Sequence, residues 1–228
     1  MGFSCLFHPF NWFFAIIFSK FPEKQYIDTF LISFYMNQLV QLKISLEKTK
    51  PAIWRRIIVD SSISFFELHH TIQLVMGWTN SHLFEFKVNG YTLGRLSQEP
   101  EFNEKLIDSC TATLEPVLSE SEKFSYIYDF GDYWKHEILV EGFFSKEPGK
   151  TYPACIEGEL CCPPEDCGGI PGFYHLQEIS KNKKHPEYKE TLTWLGKSNS
   201  FEHFDKERVN KSLLKLKKYM ADDVKRWE

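Results

Sequence analysis

Strict alternation opens the legible part of the chain. In VQLKISL (40–46), Val40, Leu42, Ile44 and Leu46 share one side, the period of a strand with one buried face. IWRRIIV (53–59), after the turn signal TKP (49–51), predicts a second strand. In SFFELHHTIQLVMG (64–77) the period changes, and Leu68, Ile72 and Val75 fall on one helical stripe. Ser64 and Glu67 have capping-box spacing, and Gly77 suits a C-terminal stop. HLFEFKV (82–88) alternates again, and Asn89-Gly90 turns the chain into YTL (91–93). Residues 97–122 are polar and mixed and specify no element. FSYIYDF (124–130) and WKHEILV (134–140) predict a hairpin around Gly131 and Asp132. Beyond a cysteine-rich loop, GFYHLQEIS (172–180), PEYKETLTWLG (186–196) and FDKERVNKSLLKLKKYM (204–220) are helical in period. The last carries a stripe of Val209, Leu213, Leu216 and Met220. These elements predict an α+β fold: a mostly antiparallel sheet with one early helix packed on it and a C-terminal helical segment.

The first 35 residues stand apart. WFFAIIF (12–18) and FLISFY (30–35) are apolar, but each falls far short of the roughly 20 residues that span a bilayer. No Lys or Arg precedes the first run and no small-residue cleavage site follows it, so it makes a poor signal peptide. Residues 1–35 are expected to lie outside the fold, with 36–228 as one domain and no transmembrane span. An interfacial anchor is the rival reading of the extension.

Composition narrows the class. With 43% hydrophobic and 25% charged residues and 21 Phe, the chain has the make-up of a soluble domain with an aromatic core. A net charge of −4 argues against a dedicated nucleic-acid binder. Lys206, Arg208, Lys211, Lys215, Lys217 and Lys218 keep nucleic-acid docking through the C-terminal helix open, though a solvated amphipathic face is favoured. Six Cys in a chain too long to need disulfide staples predict free thiols in a reducing cytoplasm.

Period-two counting places polar groups among apolar ones. His82 shares a side with Phe84, Phe86 and Val88, and His136 with Trp134, Ile138 and Val140. Either Arg55 lies with Ile53 and Ile57, or Arg56 lies with Trp54 and Ile58. A buried imidazole or guanidinium needs partners, which Asp129 and Asp132 could supply from the hairpin turn. Two readings follow: a satisfied structural network, or an Asp–His acid/base or metal pair. Asp129-Phe130-Gly131 spells a kinase triplet, but no catalytic loop, glycine-rich phosphate loop or strand lysine accompanies it.

The loop CIEGELCCPPEDCGGIPG (155–172) has no CxxC, which disfavours a redox pair. Zinc on Cys155, Cys162 and Cys167, with His175 or a carboxylate as fourth ligand, stays open. Gly168, Gly169 and Pro171 lead into a helix whose N-terminus could hold an anion, although Glu165 and Asp166 would repel a phosphate. A rigid, proline-braced loop whose carboxylates cap backbone N–H groups is the favoured alternative.

Taken together, KPAIWRRIIV (50–59), LHHTIQLVMGW (68–78), HLFEF (82–86), YDFGDYWKHEI (128–138), YPACIEGELCCPPEDCGG (152–169) and FDKERVN (204–210) resemble the Ri-plasmid ORF-three-like family, which includes TnpR-type passenger proteins of insertion elements. The resemblance implies a compact α+β domain and no known reaction. The TnpR label suggests a resolvase, but the chain carries no serine- or tyrosine-recombinase pattern. By position, the family's recurrent residues fall among others on Arg55, Arg56, His69, His82, Gly168 and Gly169, the candidate binding residues. They fall also on Asp129, Asp132, His136, Glu165 and Asp166, the candidate catalytic residues. Where the family commonly reads HLHxF, this chain has HLFEF, so Phe84 replaces a histidine. The leading expectation is a binding or accessory protein. The alternative is a metal-dependent, hydrolase-like enzyme, which requires the carboxylates and His136 to converge on one pocket with Arg55 or Arg56.

Overall fold

The computed structural model describes residues 38–95, 106–196 and 201–227. The expected extension, 1–35, lies outside the described residues. Alternation becomes a single eight-stranded sheet. Its strands are β1 (Leu39–Leu46), β2 (Ile53–Asp60), β3 (Phe84–Val88), β4 (Tyr91–Gly94), β5 (Leu106–Asp108), β6 (Lys123–Tyr128), β7 (Trp134–Phe144) and β8 (Ala154–Glu159). The order across the sheet is β5-β4-β3-β6-β7-β1-β2-β8. All neighbours run antiparallel except β4 and β5.

Cross-strand register lines up the inner face. Ile53, Leu46, His136, Tyr126, Phe86 and Leu93 form one lateral row across six strands. Each is at most 3% exposed, so His136 sits in the middle of an otherwise hydrophobic and aromatic row. The opposite face stays polar, as one-sided antiparallel sheets do. There Arg56 pairs with Glu141 at 2.6 Å and also with Glu157, and Lys43 lies 4.8 Å above the Trp54 ring. Arg55 and Arg56 therefore divide between the faces, Arg55 inward.

Helix α1 (Phe65–Met76) covers the inner face. The Ser64 side chain accepts from the Glu67 N–H at its start, and Gly77 closes it with φ 91°. The early helix is not alone: α2 (Glu115–Leu118) is a single turn opened by Pro116, too short to show a period. The C-terminal segment divides into α3 (Gly169–Lys181), α4 (Tyr188–Leu195), α5 (Lys206–Leu213) and α6 (Leu216–Trp227). The stripe read as one helix breaks between Leu213 and Leu216, both buried; Leu213 joins the core cluster from α5, and Met220 packs against it from α6. Lys206, Arg208, Lys211, Lys215, Lys217 and Lys218, on these helices and the turn between them, are all exposed. Among the described residues, no helix is long and apolar enough to cross a membrane.

Candidate functional site

Three polar assemblies occupy the inner side of the sheet. The first is internal. His69 on α1 stacks on Phe84 with centroids 3.6 Å apart and planes 9° apart. Its Nδ1 lies 2.8 Å from the Tyr126 hydroxyl and its Nε2 2.8 Å from Asn80 Oδ1. Gln73 donates to the same Tyr126 oxygen at 3.0 Å, so Tyr126 directs its own proton to His69 Nδ1 and the His69 Nε2–H donates to Asn80. Burial, with His70 beside it, holds the His69 pKa well below the usual imidazole value. The phenol of Tyr126 is raised by the same burial. Phe84, where the family often has histidine, is thus the floor beneath His69.

His136 belongs to this interior rather than to a surface. Its ring lies 5.4 Å from both Trp78 and Tyr126. Neither ring nitrogen has a hydrogen-bond partner. Burial pushes its pKa down to about 3, although the nearby backbone of Tyr126 and Trp134 pulls it upward.

The second assembly is a cleft between β2, the end of α1, the cysteine loop and α4–α5. Its volume is about 530 Å³, and Arg55, Trp78, Cys162, Trp194, Phe201 and Phe204 are among the residues lining it. Arg55 is 2% exposed. Its Nε donates to the Val75 carbonyl at 3.0 Å, Nη1 to the Trp54 and Glu159 carbonyls at 2.7 and 2.9 Å, and Nη2 to Cys162 Sγ at 3.1 Å. The guanidinium centre lies 4.2 Å from the Phe204 ring centroid. Gly158 permits this: a Cβ there would stand 2.8 Å from the Phe204 ring and 2.9 Å from Arg55 Cδ. Among the described residues no carboxylate pairs with Arg55. Two acidic residues of the cleft are engaged elsewhere, Glu165 with Thr79 at 2.6 Å and Asp205 with the Arg208 N–H at 2.9 Å.

The third assembly is the cysteine loop seated on the β6–β7 hairpin. The Gly168 N–H donates to Asp132 Oδ2 at 3.2 Å. Gly169 has φ 67°, and a Cβ on it would lie 2.6 Å from the Asp132 carbonyl oxygen. The protein's own Asp132 therefore stands where an anion at the α3 N-terminus was considered. Glu165 accepts from Tyr128, from the Thr79 N–H at 2.9 Å and from its hydroxyl. Trp78 Nε1 donates to the Pro163 carbonyl at 2.9 Å. Asp129 Oδ1 accepts from the Gly131 and Asp132 N–H groups at 2.9 and 3.3 Å. Beside it, His82 Nε2 lies 3.6 Å from Asp129 Oδ2 and 3.0 Å from Asp166 Oδ1.

The structure thus brings His82, Asp129 and Asp166 together and leaves His136, Asp132 and Glu165 in separate internal contacts. The thiols do not gather. Cys162 lies against Arg55 and donates to Met76 Sδ at 3.1 Å, Cys155 faces the Glu157 carbonyl, and Cys167 faces Gly169. Burial raises the Cys155 and Cys162 pKa values to about 11 and that of Cys167 to about 12. Among the described residues, the group of His, Cys, Asp and Glu with metal-binding spacing contains no cysteine. Asn80, Trp194 and Phe204 were not singled out from sequence. Phe204 precedes Asp205, whose side chain caps α5, and that capping signal in FDKER locates the residue but not the arginine it stacks on.

Comparison with known proteins agrees with this architecture. The chain is 34% identical over 191 residues to the uncharacterized protein y4hQ of Sinorhizobium fredii, covering 83% of this chain and 94% of that one. It resembles the crystal structure of MM3350, a protein of unknown function from Methanosarcina mazei Go1. The TM-score is 0.68 at 33% identity, with 75% of this chain and 96% of that chain covered. The family model described as plasmid pRiA4b ORF-3-like protein matches residues 38–212, which span the sheet, the cysteine loop and α5. The chain belongs to the plasmid pRiA4b ORF-3-like protein family.

Proposed function

We propose that the chain is a binding protein for a small organic anion with a flat apolar body, held in the Arg55 cleft. The observation that carries this reading is a guanidinium 2% exposed, lining the cleft and lacking a carboxylate partner. Burying a charge without a counter-charge costs several kcal/mol, on the order of the penalty for an unpaired ion in a protein interior. A bound carboxylate would offset that cost. Trp78, Trp194, Phe201 and Phe204 supply flat apolar walls, Arg208 and His203 add basic groups to the lining, and the volume lies within the usual range for ligand clefts.

The hydrolase-like reading draws less support. It asks Asp129, Asp132, His136, Glu165 and Asp166 to face one substrate. His136 is enclosed among aromatic rings, Asp132 accepts from the Gly168 N–H, and Glu165 is bound by Tyr128 and Thr79. Asp132 and Glu165 tie the cysteine loop to the hairpin and to the end of α1.

Calorimetry of the full chain with 2-naphthoate, and with the charge-reversed 2-naphthylmethylammonium, tests the proposal. The anion is expected to bind at least about tenfold more tightly, a difference of about 1.4 kcal/mol. Trp194→Ala removes a half-exposed cleft wall and is expected to weaken the anion while leaving the fold intact. Equal binding of the two probes, or no effect of Trp194→Ala, would count against it.

A further inference from the structure

We propose that His82, Asp129 and Asp166 form a binding site for one divalent first-row metal ion. The inference is independent of the anion cleft. The three residues come from the segment before β3, the β6–β7 turn and the cysteine loop, and meet only because that loop docks on the hairpin. One ligand atom from each lies within 4.8 Å of the other two. Atoms bound to a common ion at about 2.0–2.2 Å stand about 3–4 Å apart, which fits the separations of 3.0 and 3.6 Å from His82 Nε2.

The state of His82 points to a ligand. Its Nε2 is buried and has no hydrogen-bond partner, although two carboxylate oxygens lie near it: the Asp129 contact at 3.6 Å is too long and the Asp166 contact at 3.0 Å is out of line. An imidazole nitrogen facing two carboxylates is an arrangement a cation completes. Asp129 is fixed for this task. Its Oδ1 is taken by two turn N–H groups, which leaves Oδ2 to face the cluster, as backbone contacts commonly orient a metal-binding carboxylate. Among the described residues, no Lys or Arg pairs with Asp129 or Asp166, and the basic side chain that faces them is His82. The Asp166 side chain is 69% exposed, which gives an ion a route in and leaves coordination positions to water.

Donor chemistry selects the ion. One imidazole with two carboxylates suits Mn²⁺, Fe²⁺ or Zn²⁺ better than Ca²⁺, which takes oxygen ligands throughout. An ion there would tie Asp166 of the cysteine loop to the sheet through Asp129 and His82.

The test uses the full chain, stripped with chelator and dialysed, then titrated with MnCl₂ and followed by the EPR signal of free Mn²⁺. Manganese is chosen because it prefers oxygen and nitrogen donors, so the free thiols do not compete. The expected result is one Mn²⁺ per chain and a raised melting temperature. Asp166→Asn and His82→Gln are each expected to weaken binding by at least about tenfold and to abolish the thermal shift, with unchanged circular dichroism. Asp166→Asn keeps a side chain suited to φ 58°. Absence of binding up to about 1 mM Mn²⁺, or equal affinity in the wild type and both variants, would overturn the site.

Discussion

Replacing His136 by leucine isolates the energetic consequence of a neutral imidazole in the middle of the inner face. In the folded protein its pKa is pushed down to about 3 from 6.5, first by burial. Unfolding restores the ordinary value. Between these two values the unfolded chain binds a proton that the folded chain refuses, so stability rises with pH there and falls as pH drops below 6.5. Linkage gives a loss of about 2 kcal/mol on going from about pH 7.5 to about pH 5 through this one residue. His69 and His70, whose pKa values are also lowered chiefly by burial, add losses of the same sign to the wild type. His136→Leu removes one titrating group and both unpartnered nitrogens while nearly conserving volume. At neutral pH the variant is expected to stay within about 1 kcal/mol of wild type, since an unsatisfied polar group is exchanged for an apolar one. Urea denaturation at the two pH values measures both quantities. The wild type should lose about 2 kcal/mol more than the variant on acidification. Parallel losses in the two proteins would refute the buried neutral state of His136.

Other expectations follow from the seams around the loop. Gly169→Ala places a Cβ against the Asp132 carbonyl at a positive φ and should cost about 1–3 kcal/mol in urea denaturation. An unchanged midpoint would contradict the close docking of loop and hairpin. Glu165→Ala removes the acceptor shared by Thr79 and Tyr128 and should destabilise by about 1–3 kcal/mol. In the same variant the Tyr128 phenol, raised by burial and then by Glu165, should ionise at lower pH in a spectrophotometric titration. Cys155 and Cys162, with pKa values near about 11, should resist a thiol reagent at mildly alkaline pH until the chain unfolds. Rapid modification of Cys162 in the native protein would show that the cleft wall opens.

Sequence pattern reached the scaffold further than the sites. Alternation located β1, β2, β3, β6 and β7, and the capping signals at Ser64 and Gly77 bounded α1, because these are local rules of period and cap. β5, with three residues, and α2, with four, are too short for any period to register. The split between α5 and α6 falls at Leu214 and Lys215, inside a run whose apolar spacing stays helical, so residue spacing alone cannot show it. Among polar residues, the anomaly on the inner face was readable at His136, which interrupts an apolar side, whereas period alone left Arg55 and Arg56 as alternatives. What these residues meet was not readable. The Phe204 ring on Arg55 and the seat of Asp132 at Gly168 join segments far apart in the chain, and no local pattern encodes such pairings. Cysteine spacing could not show that Cys155, Cys162 and Cys167 each contact a different group, whereas His82 and two aspartates nearby have the spacing of ligands.

The anion cleft is tested most directly by following the tryptophan indole N–H signals of ¹⁵N-labelled full-length protein during addition of 2-naphthoate. Trp78 and Trp194 line the cleft, whereas Trp54 lies on the outer face of the sheet with Lys43 above it. Saturable shifts of the Trp78 and Trp194 signals, with Trp54 unmoved, are the predicted result. Shifts at Trp54 without shifts at Trp78 and Trp194, or no saturable shift at any indole, would contradict a binding site built around Arg55.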